Sequence, residues 1–393
     1  MLNPQALSLG TCRSCIRELY EYGRQRAAVV GQENVFDYSL GNPSVPSPPE
    51  LTDILMDTIR ETDSVSLHGY TSAPGDYETR AAIARELNQR YSWNATPEHF
   101  FIGCGAAPEL SAVFQALTVP GSEFLGLAPY FPEYPVFAQT AGAKFLAVAP
   151  ALPDFQIPLE EVEAAITEHT AAIVINSPNN PSGVVYSRQV LTRLAAILTK
   201  KSKEYGHPIY IISDEPYREL VYDGVEVPFL PAIYPDTVIC YSYSKSLSLP
   251  GERIGYIYVP EQATDSSNLL AAIAGAARAK GHVCAPSLWQ KVIAKATHLR
   301  PNLAAYDENR RLLWENLTAM GYESPKPQGA FYLFVKAPGG DAVAFSEKAK
   351  KKNLLLVPGD GFGCPGYFRM CYCVTKDMIL RSLPIFEDLI KNG

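Results

Sequence analysis

Residues 241–256 read YSYSKSLSLPGERIGY and set one lysine, Lys245, in an aromatic, hydroxyl-rich run. Lysine is a nucleophile only as the neutral amine, and burial or a nearby cation lowers its pKa toward that form. Arg253 could be such a cation. With Ser242 and Ser244 it could also hold a phosphate, because a guanidinium and hydroxyls offer several donors to one anion. Asp214 follows the apolar run PIYIIS, so its carboxylate should be poorly solvated and needs a cationic or protonated partner. These residue types together allow an amine to attack a carbonyl beside a phosphate site and a buried acid.

The elements that must position them are legible as short apolar runs. HFFIG (99–103), EFLGLA (123–128), AAIVINS (171–177), PIYIIS (208–213) and TVICYS (237–242) are rich in Ile, Val and Phe without polar alternation. They read as strands of a parallel sheet covered on both faces. Helical patterns lie among them at PELSAVFQALT (108–118) and SRQVLTRLAAILTKKSKEYG (187–206), which gives the rhythm of an α/β sheet. Ligands of such sheets bind beyond the carboxyl ends of the strands. After HFFIG comes CGAAPEL, a glycine turn into a helix start whose free N–H groups suit a phosphate. Alone, it reads as an ordinary strand-to-helix turn. After EFLGLA comes PYFPEY, where Tyr130, Phe131 and Tyr134 could stack on a planar ring or pack in the core. PNNPSG follows AAIVINS and fixes Asn179 and Asn180 between prolines. DEPYREL follows PIYIIS and carries Asp214, Glu215 and Tyr217; a helix N-cap is the plainer reading of Asp214. The lysine stretch follows TVICYS.

Bulk properties narrow the class. The 393 residues suffice for two or three domains, or for one large α/β unit with an appendage. With 47% hydrophobic and 19% charged residues, the chain is no disordered protein. A net charge of -7 argues against nucleic acid or an anionic membrane as the main partner. No apolar run is long enough for a bilayer, and MLNPQALSLGTCRSC lacks the pattern of a signal peptide, so the cytoplasm is the expected compartment. Cys12 with Cys15, and Cys371 with Cys373, read as reduced thiols rather than zinc ligands, since no histidine lies beside either pair. No metal site is expected. The basic run KAKKK (348–352) reads as the last turn of a helix, where cations suit the dipole. A long helical pattern over 286–320 precedes AFYLFV (330–335), LLLVP (354–358) and FRMCYCV (368–374), which suggests a smaller α+β domain. The proline-rich LGNPSVPSPPE (40–50) reads as the crossing from an N-terminal arm.

An aldehyde cofactor with a phosphate and a protonatable ring nitrogen would use all these groups, and pyridoxal phosphate has those features. The chain also resembles the class I/II aminotransferases of fold type I. SYSKSLSLPGERIGY resembles their S-x-S-K with a following G-x-R-x-G, and NNPSG resembles N-N-P-T-G. SDEPY, PYFPEY, YTSAPGDYETRAAIA (70–84), PQGAFYLF (327–334) and VPGDGFG…FRM (357–370) follow in matching order, over roughly 35 to 375. The resemblance implies an α/β fold: a large domain with a mostly parallel seven-stranded sheet between helices, over 46–290. Residues 1–45 and 291–393 would form the arm and the smaller α+β domain. Lys245 would bond to the cofactor and later shuttle the proton. Asp214 would pair with the pyridine nitrogen, while Tyr217 and Asn180 would bind the phenolic oxygen. Phe131 would cover the ring. The backbones of Ala106 and Ala107, with Ser242, Ser244 and Arg253, would hold the phosphate. Tyr70 would reach the phosphate of a neighbouring subunit, which implies a homodimer. Arg369 would clamp the substrate α-carboxylate, with Gly41 near it.

Two positions depart from the pattern. Ser182 replaces a threonine, and Ala107 stands where an aspartate-using branch carries a lysine, which weakens a dicarboxylate assignment. Tyr130, Phe131, Tyr134, Tyr186 and Phe362 would accept an apolar or aromatic side chain, or pack in the core. The implied reaction is ping-pong transamination between an L-amino acid and a 2-oxo acid. A C–S lyase acting on S-substituted cysteines is the alternative, since it would use the same cofactor residues. A DNA-binding regulator would need a longer, basic N-terminal region. A nicotinamide dehydrogenase would need a glycine where Pro108 stands.

Overall fold

The computed structural model describes residues 1–11 and 15–392. Cys12 of the C-x-x-C pair lies outside them, and Cys15 is an exposed free thiol. Helices Pro4–Thr11 and Cys15–Val30 open the chain, followed by the short strand β1 (Phe36–Asp37). The central sheet is built from β2 (Phe100–Gly103), β3 (Glu123–Leu127), β4 (Lys144–Val148), β5 (Thr170–Asn176), β6 (Tyr210–Asp214), β7 (Thr237–Ser242) and β8 (Gly255–Tyr258). Toward the C-terminus come β9 (Tyr332–Lys336), β10 (Leu354–Leu355), β11 (Val357–Pro358) and β12 (Tyr367–Cys371).

The seven central strands lie in the order β2-β8-β7-β6-β5-β3-β4. All neighbours are parallel except β8, which runs against both β2 and β7. Successive residues of a strand point to opposite faces, and here both faces are covered. Ile212 joins Phe114, Phe124 and Val238 under helix Ala106–Ala116. Its neighbour Ile211 joins Leu125, Ile173, Leu194 and Leu198 under helix Arg188–Tyr205. That double cover explains the uninterrupted apolar runs. The helix Arg188–Tyr205 starts where Ser187 accepts a hydrogen bond from the Val190 N–H, and it stops at Gly206, which takes the left-handed conformation at φ 77°.

The five apolar runs are strands within a residue or two of their expected ends. β4 and β8 escaped the pattern. β4 is an edge strand with exposed and half-buried positions, so it lacks a buried run. β8 begins directly at Gly255 and reads as the tail of the glycine loop. The long helical pattern over 286–320 is in fact two helices, Ser287–Ala296 and Leu303–Ala319. Pro301 lies between them, and its ring and missing N–H exclude a continuous helix. LLLVP is likewise split. β10 pairs with β1, whereas β11 pairs with β12 in a three-stranded sheet with β9. Lys348, Lys350 and Lys351 do occupy the last turn of helix Ala342–Lys351.

A separate apolar cluster gathers Tyr306, Leu313, Phe331, Leu333, Phe368 and Phe386 around the three-stranded sheet. It also takes in Tyr217, Leu220 and Tyr222, which follow β6, so the two cores touch beside the end of that strand. No helix among the described residues is long and apolar enough to cross a membrane.

Phe114 is fully buried, with its ring 4.5 Å from that of Phe124. Phe114→Ala should therefore lower unfolding free energy by about 3–5 kcal/mol in urea denaturation, the cost of losing a large buried ring and leaving a cavity.

Candidate active site

The parallel strands bring their carboxyl ends together by register. Asn176, at the end of β5, pairs with Asp214, at the end of β6, and Asp214 pairs with Cys240 of β7. Ser242 closes β7 opposite Gly255, which also faces Gly103 of β2. Beyond these ends lies a cavity of about 320 Å³. Lys245, Asp214, Tyr217, Asn180, Phe131, Ala106, Ala107, Ser242, Ser244, Arg253, Arg369 and Gly41 all line it. Tyr70 does not. It stands on the surface, 99% exposed.

Asp214 is buried, and its carboxyl is asymmetrically held. Oδ2 accepts a 2.5 Å hydrogen bond from the Tyr134 hydroxyl, while Oδ1 is buried without a partner among the described residues. Burial pushes the carboxyl up to about 7; the Tyr134 bond pulls down and Glu215 pushes up. Asn176 Nδ2 donates to the Asp214 backbone oxygen at 2.9 Å and so fixes the strand end. Glu109 lies close by, on the first turns of helix Ala106–Ala116. Both its oxygens are buried and unpartnered, and burial, then the charge of Asp214, raises its pKa well above the usual range.

Lys245 sits on the short helix Tyr243–Ser246 behind β7. Its Nζ donates to the Gly41 carbonyl at 2.7 Å. Burial lowers its pKa, and the charges of Arg369 and Arg253 add to that, against the opposing influence of Cys373 and Cys371. Ser242 caps the same short helix: its Oγ accepts from the Ser244 N–H at 3.2 Å and lies 2.7 Å from the Ser244 hydroxyl. Gly105 precedes helix Ala106–Ala116 at φ 90°, and a Cβ there would come within 2.9 Å of the Arg253 guanidinium. The glycine thus lets a cation and a helix N-terminus share one corner, a geometry suited to phosphate.

Arg369 is 2% exposed, on the inner strand β12. Nη1 donates to Asn180 Oδ1 at 3.1 Å and Nη2 to the Ser39 carbonyl at 2.5 Å, while Nε is buried without a partner. Both acceptors are neutral, so the guanidinium keeps its charge for an incoming anion. Its face stacks on Tyr332 and Phe362, 4.7 and 5.1 Å from the ring centres.

Sequence reading missed several wall residues. Asn176 carried a usable signal, as a lone amide closing an apolar strand. Tyr332, Leu40 and Ile16 carried none, because only the packing of distant segments brings them to the cavity. Tyr134 was visible as an aromatic, but its bond to Asp214 was not.

Residues 33–383 match the family of class I and II aminotransferases. The chain belongs to that family. The aspartate aminotransferase of Thermotoga maritima is 29% identical over 374 residues, 94% of this chain and 95% of that one. An aminotransferase structure from Eubacterium rectale superposes with a TM-score of 0.98 at 52% identity, over 100% of both chains. The aspartate aminotransferase of Thermus thermophilus, determined with maleate, has a TM-score of 0.87 at 26% identity over 99% of both chains. The protein is therefore an enzyme that transfers amino groups with pyridoxal phosphate. A C–S lyase is not favoured, since these relatives are named as aminotransferases.

The site fits that cofactor. A protonated ring nitrogen would satisfy the orphan Asp214 Oδ1, and the corner at Gly105 would take its phosphate. The acid also marks the ligand-free chain. Because its folded pKa lies above the unfolded value, its contribution to stability is complete below about pH 4 and is lost as pH rises through about 7. Asp214→Asn should remove this loss. Denaturant melts of ligand-free protein should show the variant gaining roughly 4 kcal/mol on the parent between pH 4 and 8, the free energy linked to raising the acid's pKa to about 7.

Proposed function

We propose that Lys245 is the catalytic amine of a transaminase that exchanges the amino group of an L-amino acid with a 2-oxo acid. The observation that carries this reading is the company Lys245 keeps. One cavity holds an amine lowered toward neutrality, a buried acid with an unpartnered oxygen and a buried guanidinium with an unpartnered nitrogen. When bound, pyridoxal phosphate supplies an aldehyde for amino groups and a pyridinium that draws electrons from the substrate α-carbon.

Lys245 Nζ would hold the aldehyde carbon and, once a substrate amine takes its place, would as the free amine carry the proton from the substrate Cα to that former aldehyde carbon, two atoms away. Asp214 Oδ1 would keep the ring nitrogen protonated. Tyr217 and Asn180 would donate to the phenolic oxygen. Asn180 can do so because its Oδ1 is engaged by Arg369, which leaves its Nδ2 turned elsewhere. Phe131 would cover one face of the ring. The N–H groups of Ala106 and Ala107, with Ser242, Ser244 and Arg253, would hold the phosphate. Arg369 would take the α-carboxylate of donor and acceptor alike, beside Gly41. Ile16, Leu40 and Phe131 put apolar surface on the wall. Aspartate, for which the Thermotoga maritima relative is named, is the first donor to assay, and aromatic and aliphatic amino acids come next.

We also infer a homodimer in the cytoplasm, with residues 46–290 as its large domain and Tyr70 serving the partner's phosphate. The support for the dimer is the full exposure of Tyr70 and the exposure of Met56, Ile59 and Val65, which precede it within fifteen residues in the sequence. Such apolar surface suits an interface.

Lys245→Ala should abolish the visible absorption of the purified enzyme and slow turnover by at least about 10²–10⁴-fold, the share of positioned proton transfer. If the band and turnover survive, the reading is wrong. Arg369→Lys should raise KM for donor and acceptor by about 10- to 100-fold, since a bidentate charged contact becomes a single one. Mixing Lys245→Ala with Tyr70→Ala subunits should regenerate one intact site per hybrid dimer. No recovery would place Tyr70 in its own subunit's site or nowhere.

A further inference from the structure

We propose that Tyr332 is a positioning residue that links the carboxylate-binding arginine to the phenol serving the cofactor's oxygen. The idea rests on the roles given above to Tyr217 and Arg369.

Tyr332 is 2% exposed and begins β9. Register explains how it meets Arg369. Arg369 lies opposite Phe334 and Tyr332 lies opposite Cys371, so Tyr332 and Arg369 are diagonal neighbours on one face of the sheet. The ring supports the guanidinium at 4.7 Å. The hydroxyl lies 3.0 Å from that of Tyr217, buried, with no other hydrogen-bond partner among the described residues. Its space exists only because residue 41 is glycine; a Cβ there would fall 2.0 Å from the Tyr332 oxygen. The side chain thus touches three segments of the site at once.

Proton counting gives the link a direction. Each phenol has one proton, and burial raises the pKa of both, so each keeps it near neutrality. Arg369 can only donate. If Tyr217 spends its proton on the ligand's phenolic oxygen, the 3.0 Å contact requires Tyr332 to donate to Tyr217. A phenol that accepts one hydrogen bond is a stronger donor of the next. Tyr332 therefore sharpens the donor that tunes the cofactor, while its ring holds the group that orients the substrate.

Three single variants and one double variant separate these effects in the cofactor-loaded enzyme. The readouts are the apparent pKa of the visible absorption band and KM for donor and acceptor. Tyr217→Phe should raise the band pKa. Tyr332→Phe keeps the ring and removes only the hydroxyl. It should raise the band pKa by about 0.4–1 unit, the weight of one neutral hydrogen bond, with KM within about twofold. Tyr332→Leu removes the ring and should also raise KM for both substrates about three- to tenfold. The double variant Tyr217→Phe/Tyr332→Phe should shift the band no further than Tyr217→Phe alone. A band unmoved in Tyr332→Phe, or additive shifts in the double variant, would overturn the proposal while sparing the Tyr217 role. A band unmoved in Tyr217→Phe would overturn both.

Discussion

The acid at the end of β6 is the constraint around which the site is arranged. Asp214 stands where an apolar strand stops, with one oxygen held by Tyr134 and the other without a partner. Burial disfavours the charged carboxylate, which is why its pKa rises to about 7. A cationic partner at Oδ1 would favour the anion. Such a ligand and the buried acid would stabilise each other, and the apolar sheet that desolvates the acid would strengthen the pair.

The lysine is positioned by a second charged group behind the strands. Arg218 is buried between Glu215 at 3.0 Å and Glu219 at 3.1 Å, with its guanidinium over the Tyr241 ring. Tyr241 in turn bonds Glu219 and lies 2.8 Å from the Ser246 hydroxyl, beside Lys245. Arg90 adds a further bond to Glu219. Each buried charge here has an opposite partner, as burial demands. The cluster anchors the short helix Tyr243–Ser246 on one side, and the Gly41 carbonyl receives the amine on the other. Lys245 and Arg369 line the cavity instead, and each donates only to neutral oxygens among the described residues.

This division suits a reaction in which donor and acceptor use one site in turn. Both carry an α-carboxylate, and one guanidinium can serve both if nothing inside the protein neutralises it. Arg369 meets that condition, since among the described residues it donates only to an amide oxygen and a carbonyl. Its likeness to aminotransferases of known structure extends over the whole chain, so the scaffold that holds these groups apart is shared as well.

Local pattern was enough for five of the seven central strands and for what ends them. An apolar run buried on both faces has a local pattern, and Asp214, Asn180 and the serines around Lys245 follow such runs directly. The resemblance of motifs extended this to Arg369 and to a seven-stranded fold. Pairings between distant segments had no local mark. Lys245 and Gly41 are 204 residues apart, and Arg369 and Asn180 are 189 apart. The donor on Asp214, the aromatic floor under Arg369 and the phenol pair of Tyr217 and Tyr332 depend on such packing. So does β8, whose antiparallel course follows from its neighbours rather than from its own four residues. Periodicity records which residues are buried, whereas only the folded chain decides which buried groups meet and which oxygen or nitrogen is left for a ligand.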